Sequence, residues 1–189
     1  MNTRMKIAAF ATAVSILGVA PVFAQDEMPH AQPVTAYVKK SIQPWLTNPV
    51  VISAILESNK KHARLMQSDI DKMDADWKAK DQALRDSTMK NKLAEFLITK
   101  KEASGGVITE AFVMDDRGLN VGQTDGTSDM WQADEAKWQK SYAAGEGAIW
   151  VDKVEEDGGK KIAQVSVAIS DKGKTIGAVT IGIDVDKLK

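Results

Sequence analysis

Two indole rings and several carboxylates crowd into one stretch of the chain, Glu110 to Tyr142, which reads EAFVMDDRGLNVGQTDGTSDMWQADEAKWQKSY. Trp131 and Trp138 lie close along the chain to Asp129 and Asp134. Aromatic walls carrying a few fixed polar groups are what a small-molecule pocket needs. A carboxylate there can hold a ligand ammonium or a water. A buried carboxylate without a partner is costly, so acids buried at such a place imply a cationic group or a capping role. Ordinary structure competes for the same residues. Asp134 can cap a helix that starts there, because its oxygen accepts from free first-turn amides, and Trp138 can be core. Taken singly, each residue fits the structural role slightly better. Two of the five tryptophans within one loop and helix start favour the pocket.

Other chemistries find less support. The chain has no cysteine, and its two histidines are His30, near the N-terminus, and His62, flanked by Lys60, Lys61 and Arg64 as on a solvated helix face. Nucleophilic catalysis needs a nucleophile beside a base and an orienting group, and neither H-E-x-x-H nor G-x-S-x-G nor a phosphate-cradling glycine loop is present. Gly145-Glu146-Gly147 reads as a turn. The acids Asp69, Asp71, Asp74 and Asp76 fail the calcium-loop pattern: Met73 stands in the third ligand place and no glycine follows. They read as a solvated face plus caps, and Arg117 as a solvated turn residue. No metal, cofactor or enzymatic activity is expected. Paired-carboxylate hydrolysis stays open as the last-ranked reading.

The elements that must position these residues divide into two runs. Helical spacing starts at Val34 and continues through Tyr37, Val38, Ser41 and Ile42, with Pro44 set to end or bend the helix. Asn48 is an N-cap with Pro49 in the first helical position, opening a helix that could run to Gln67. Ser68 is a second N-cap candidate, with Ile70, Met73 and Trp77 at helix spacing behind it. A further helix is expected over roughly Ser87 to Lys100, burying Leu93, Phe96 and Leu97. Ser104-Gly105-Gly106 breaks the pattern, and the period then changes to two. Five strands are predicted: Val107 to Met114, Leu119 to Thr124, Ala148 to Val154, Lys161 to Ile169 and Thr175 to Val185. A tight turn at Asp115 to Gly118 joins the first two. A helix over Asp134 to Ala144, closed by Gly145, follows the second strand. Helices followed by strands argue for an α+β domain, in which 34–103 is the helical part and 104–189 the sheet part.

The last two strands have unequal faces. Val165, Val167, Ile169, Val179, Ile181 and Ile183 make one side bulky and dry. Gln164, Ser166, Ala168, Ala178, Thr180 and Gly182 make the other small and weakly polar. Small residues leave volume above a sheet, and glycine lets a ligand approach the backbone. That side is the expected pocket floor, with Ser166, Ala178 and Thr180 central to it and Trp131 and Trp138 as its roof. Close helix packing explains the small residues about equally well. Trp150 and Asp152 alternate onto one face of the third strand.

Arg4 and Lys6, the apolar run Ile7 to Ala20 and the Val22-Phe23-Ala24 site have the layout of a secretory signal peptide, 1–24. The run is shorter than the roughly 20 apolar residues that cross a bilayer. A retained anchor is the alternative. Cutting after Ala24 removes Arg4 and Lys6 and moves the formal net charge from −1 to −3. Such mild acidity argues against a nucleic-acid partner, and an exported chain without cysteine suits a bacterial periplasm. Residues 25–33 read as a flexible leader.

The string GLNVGQTDGTSDMWQADEAKWQKSY, followed by ISDKGKTIGAVTIGIDVDKL, resembles the PAS-like extracytoplasmic sensor family called PDC or Cache, in its single-domain, stand-alone periplasmic form. The resemblance covers about Val34 to Leu188. Met130 stands where that pattern has an aromatic, and Ala133 where it has glycine. The resemblance implies a five-stranded antiparallel sheet in the order 2-1-5-4-3 and a ligand close to Trp150 and Asp152. It implies a sensing or binding module for a small polar metabolite, namely an amino acid, an amine or a small carboxylate. A separate membrane receptor or kinase would read the ligand state. The competing reading is a ligand-free adaptor or homodimer surface with the tryptophans as core.

Overall fold

The computed structural model describes residues 28–188, so the signal peptide expected over 1–24 and the first leader residues lie outside the described part. Helices α1 (Ala31–Tyr37), α2 (Gln43–Leu46), α3 (Pro49–His62), α4 (Gln67–Lys78), α5 (Gln82–Met89) and α6 (Lys92–Ala103) come first. Strands β1 (Ile108–Met114), β2 (Asn120–Gln123), β3 (Ile149–Asp157), β4 (Lys160–Asp171) and β5 (Lys174–Asp184) follow, with short helix α7 (Ala136–Gln139) between β2 and β3. The sheet is antiparallel in the order β2-β1-β5-β4-β3, giving an α+β, PAS-like fold.

The dry face sits where its residue types demand. Val165, Val167, Ile169, Val179, Ile181 and Ile183 pack with Ala111 and Val113 of β1 against Val34, Val38 and Ile42, and against Val51 and Ile55 of α3 and Leu93 and Leu97 of α6. A fully buried aliphatic side chain of this size contributes about 1.5–3 kcal/mol.

Several helix boundaries differ from expectation for identifiable reasons. Helix α1 begins inside the segment read as leader, and His30 donates from Nε2 to the Asp152 carbonyl at 2.7 Å, tying that segment to β3. Pro44 is accommodated by a π turn over Val38–Ile42, in which the Gln43 N–H reaches the Val38 carbonyl. Asn48 caps α3 as expected, accepting from Val50 N at 2.9 Å, but α3 stops at His62 rather than Gln67. The α4 cap is at Met66, whose N–H is taken by Asp69 at 2.8 Å, and not at Ser68. The single helix expected over Ser87 to Lys100 is two. Asn91 accepts from Ala94 N at 2.8 Å to open α6, while its amide donates to the Ser87 and Val121 carbonyls. Asp134 caps nothing: α7 starts two residues later and is one turn long.

Candidate functional site

The tryptophan loop pairs along the edge of the sheet. Residues 130–132 run beside β2 as an extra edge. Asn120 N donates to the Met130 carbonyl at 3.0 Å, and Gln132 N to the Gly118 carbonyl at 2.8 Å. Asp74, read from sequence as solvated, accepts from Met130 N (2.8 Å) and Trp131 N (3.2 Å) and clamps this edge to α4. The Trp131 indole turns back to the hairpin, donating to the Arg117 carbonyl at 2.9 Å, and packs on a satellite core of Ile70, Trp77, Leu119 and Met130. Asp129 is ion-paired with Lys78 at 2.8 Å. The Lys78 hydrogen bond, then that of Ser128, holds its carboxyl below the usual range. Asp134 is exposed.

The face expected as the floor is covered. Ser166, Ala178 and Thr180 are fully buried, and the two hydroxyls lie 2.8 Å apart. Trp138 and Tyr142, stacked at 4.7 Å between centroids, rest directly on Phe112, Met114 and Ala178. The Trp138 indole donates to the Asp115 carbonyl at 3.3 Å. The room at Gly182 is used by the protein: a Cβ there would meet Thr109 Oγ1 at 2.5 Å and Glu110 Cγ at 2.8 Å. The Trp150 ring carries the Lys140 ammonium at 5.0 Å.

Open space on this side of the sheet lies further along, as a groove of about 720 Å³. Of the nine residues singled out in the sequence, Asp152 lines it. Glu110 of β1, Gln164 of β4 and Lys137 of α7 join it there. Gln164 Nε2 donates to Glu110 Oε1 at 2.9 Å, which fixes the carboxylate across three strands. The Lys137 ammonium lies 5.6 Å from the Phe112 ring centre and 2.9 Å from Glu135. Six carboxylates (Glu110, Asp125, Glu135, Asp152, Glu155, Asp157) face three ammonium groups (Lys137, Lys153, Lys160), so the groove is net acidic. Sequence reasoning placed Gln164 on this face but missed Glu110, Glu135 and Lys137. The period-two series Glu110, Phe112, Met114, continuing the floor onto β1, was the available signal.

A second polar centre lies under the hairpin turn. Asp115 is fully buried. Its Oδ2 accepts from Ser58 Oγ at 2.9 Å and faces His62 Nδ1 at 2.7 Å, and its Oδ1 accepts from Arg117 N and Leu119 N, both at 2.9 Å. His62 is therefore buried, not the solvated residue its basic neighbours suggested: the ring is the acceptor's partner that ends α3. Arg117 likewise donates from Nη2 to the Leu65 carbonyl at 3.0 Å instead of standing in solvent. The three side chains Ser58, His62 and Asp115 are not a nucleophile relay. A relay needs the serine and the acid on opposite ring nitrogens, and here both meet Nδ1. Next to them, burial and then the Asp115 charge push the Asp116 carboxyl up.

Among the described residues no helix is long and apolar enough to cross a membrane, and no group of three or more histidine and acidic side chains is placed to hold a metal. No family model matches the chain, and no curated protein is similar to it. The chain is similar in fold to sensory domains of solved structure. The V. cholerae histidine kinase DctB sensor domain is 10% identical at a TM-score of 0.43, with 82% of this chain and 52% of that one covered. The ligand-binding domain of the Campylobacter jejuni chemoreceptor Tlp3 with L-valine is 14% identical at 0.41, covering 84% and 64%. That of the Pseudomonas fluorescens chemoreceptor CtaA with L-alanine is 12% identical at 0.33, covering 83% and 59%. The chain thus spans between half and two thirds of the length of these domains.

Proposed function

We propose that this chain is a non-catalytic periplasmic binding module of the PDC/Cache type that senses a small amine or basic amino acid and passes its ligand state to a membrane receptor or kinase. The observation that carries the ligand class is the acidic groove. Glu110, held by Gln164, and Asp152 provide carboxylates, while one of the lining cations, Lys137, is engaged with Glu135. An ammonium entering there meets an excess of negative charge. A simple anion meets repulsion. A ligand spanning the groove would join strands β1, β3 and β4 to α7, whose Trp138 reaches the hairpin turn, so occupancy has a path to the helical layer.

A thermal-shift panel of putrescine, lysine, alanine, valine, succinate and adenine on the signal-free protein tests this. A ligand that binds the native state alone stabilises it by about 2.7 kcal/mol at a hundredfold excess over Kd. The expected result is a shift with putrescine and lysine that disappears in Glu110→Gln/Asp152→Asn and survives in Asp134→Asn. Stabilisation by succinate or adenine alone, or by nothing in the panel, contradicts the proposal. The adaptor reading has one observation of its own, the close packing of Trp138 and Tyr142 on the sheet. It gains if no ligand binds.

A further inference from the structure

Strand β3, at one edge of the sheet, keeps a constant register with β4 except beside the acidic groove. Val151 pairs with Val165 and Val154 with Ala163, so two residues of β3, Asp152 and Lys153, stand opposite one of β4, Gln164. This is a β-bulge. A bulge at a sheet edge re-aims side chains and leaves backbone groups out of the ladder. Both bulge residues line the groove, as do Gln164 opposite them and Glu110, which Gln164 holds at 2.9 Å.

The backbone freed at the bulge is taken up by a distant residue. The Asp152 carbonyl accepts from His30 Nε2 at 2.7 Å, across 122 positions of the chain. A carbonyl can only accept, so the ring proton is assigned to Nε2. Lys153 N donates to Asp152 Oδ1 at 2.8 Å, and the Lys153 ammonium is paired with Glu155 at 3.1 Å. One carboxylate oxygen is thus hooked to the bulge backbone, and that backbone is hooked through its carbonyl to His30. Oδ2 is left to meet a ligand. His30 is not part of the groove lining. It is the residue that opens α1, and α1 with the π turn behind it carries Val34, Val38 and Ile42 into the dry core.

We propose, resting on the amine-binding reading of the groove, that His30 is a positioning residue for the carboxylate of Asp152, and that filling the groove is thereby linked to the seating of α1. Without the His30 bond the Asp152 carbonyl has only solvent, the bulge can shift, and the carboxylate loses its fixed aim. Charge held ready for a ligand binds better than charge that must be ordered on binding. The linkage is reciprocal: a seated α1 tightens the groove, and an occupied groove tightens the seat of α1 to the same extent. The effect of His30 runs through Asp152 and spares Glu110, whose hold is through Gln164.

The test is calorimetric titration of the signal-free protein with putrescine in a double-mutant cycle, alongside amide NMR spectra without ligand. His30→Ala should weaken binding about three- to tenfold, up to the whole of one charged contact. His30→Gln, which keeps a donor on a side chain of similar reach, should restore most of it. The loss should vanish in an Asp152→Asn background and persist in Glu110→Gln, because residues acting through one contact are non-additive and independent ones add. Without ligand, the Lys153 amide resonance should move in His30→Ala and return in His30→Gln. If His30→Ala does not fold, the parent protein carries the test: bound putrescine should shift the His30 ring resonances, although the ring lies outside the groove. A Lys153 amide unmoved by His30→Ala, a loss that persists in Asp152→Asn, or His30 ring resonances untouched by bound putrescine would overturn the role of His30 and leave amine binding standing. No putrescine binding in the parent protein would overturn the groove reading itself and, with it, the linkage to α1.

Discussion

The two faces of β5 come from one alternating segment and behave as different materials. Val179, Ile181 and Ile183 point into the helical layer and make a dry core. Ala178, Thr180 and Gly182 point to the loop side, where Trp138, the Ser166 hydroxyl and the Glu110 side chain fill the space that their small size leaves. Small residues on a sheet therefore mark where something lies close. They do not say whether that is a ligand or the protein's own loop. On this face the loop takes the centre, and the acidic groove takes the end.

The largest effect is expected on the dry face. Ile181→Ala should cost about 2–5 kcal/mol, read from the urea midpoint, because the large-to-small change leaves a cavity under α3 and α6. On the loop face, Ala178→Leu, at the centre of the face expected as a pocket floor, should destabilise by about 1–3 kcal/mol through overpacking beneath Trp138. A urea midpoint equal to that of the parent protein would show that Trp138 is a movable roof after all. Smaller still is Glu110→Gln. Its stability should stay within about 0.5 kcal/mol of the parent, while putrescine affinity falls about tenfold with the loss of one charged contact.

The smallest effect is electrostatic. Asp129 has a folded-state pKa below its unfolded value, so its contribution to stability is present above the unfolded value and is lost as pH falls through the lowered folded one. Asp129→Asn should flatten the acid limb of the midpoint-against-pH curve. Asp116 has the opposite sign. Its raised carboxyl favours the protonated folded state, so the penalty it imposes at neutral pH is relieved on acidification, and Asp116→Asn should remove that relief. Interchanged effects of the two substitutions on the acid limb would contradict these assignments.

Much of the fold was legible because it is local. Asn48-Pro49, the Asp115 to Gly118 turn and the alternation in β4 and β5 each carry their own instruction within a few residues. The site was less legible because its determinants are distant. Asp74 meets the Trp131 amide across 57 positions and His62 meets Asp115 across 53, and neither pairing leaves a periodic trace. The tryptophan stretch stands out in composition, yet its indoles fasten a loop, donating to the Arg117 and Asp115 carbonyls. Glu110 and Lys137, ordinary residues in sequence, frame the groove.

Ligand entry into the acidic groove is tested most directly by an amide NMR titration of the signal-free protein with putrescine. Saturable shifts concentrated at Glu110, Lys137, Asp152 and Gln164 are expected, with Trp131 and Asp134 unmoved. Shifts concentrated at Trp131, Asp134 and Ala178, or absent altogether, would contradict it.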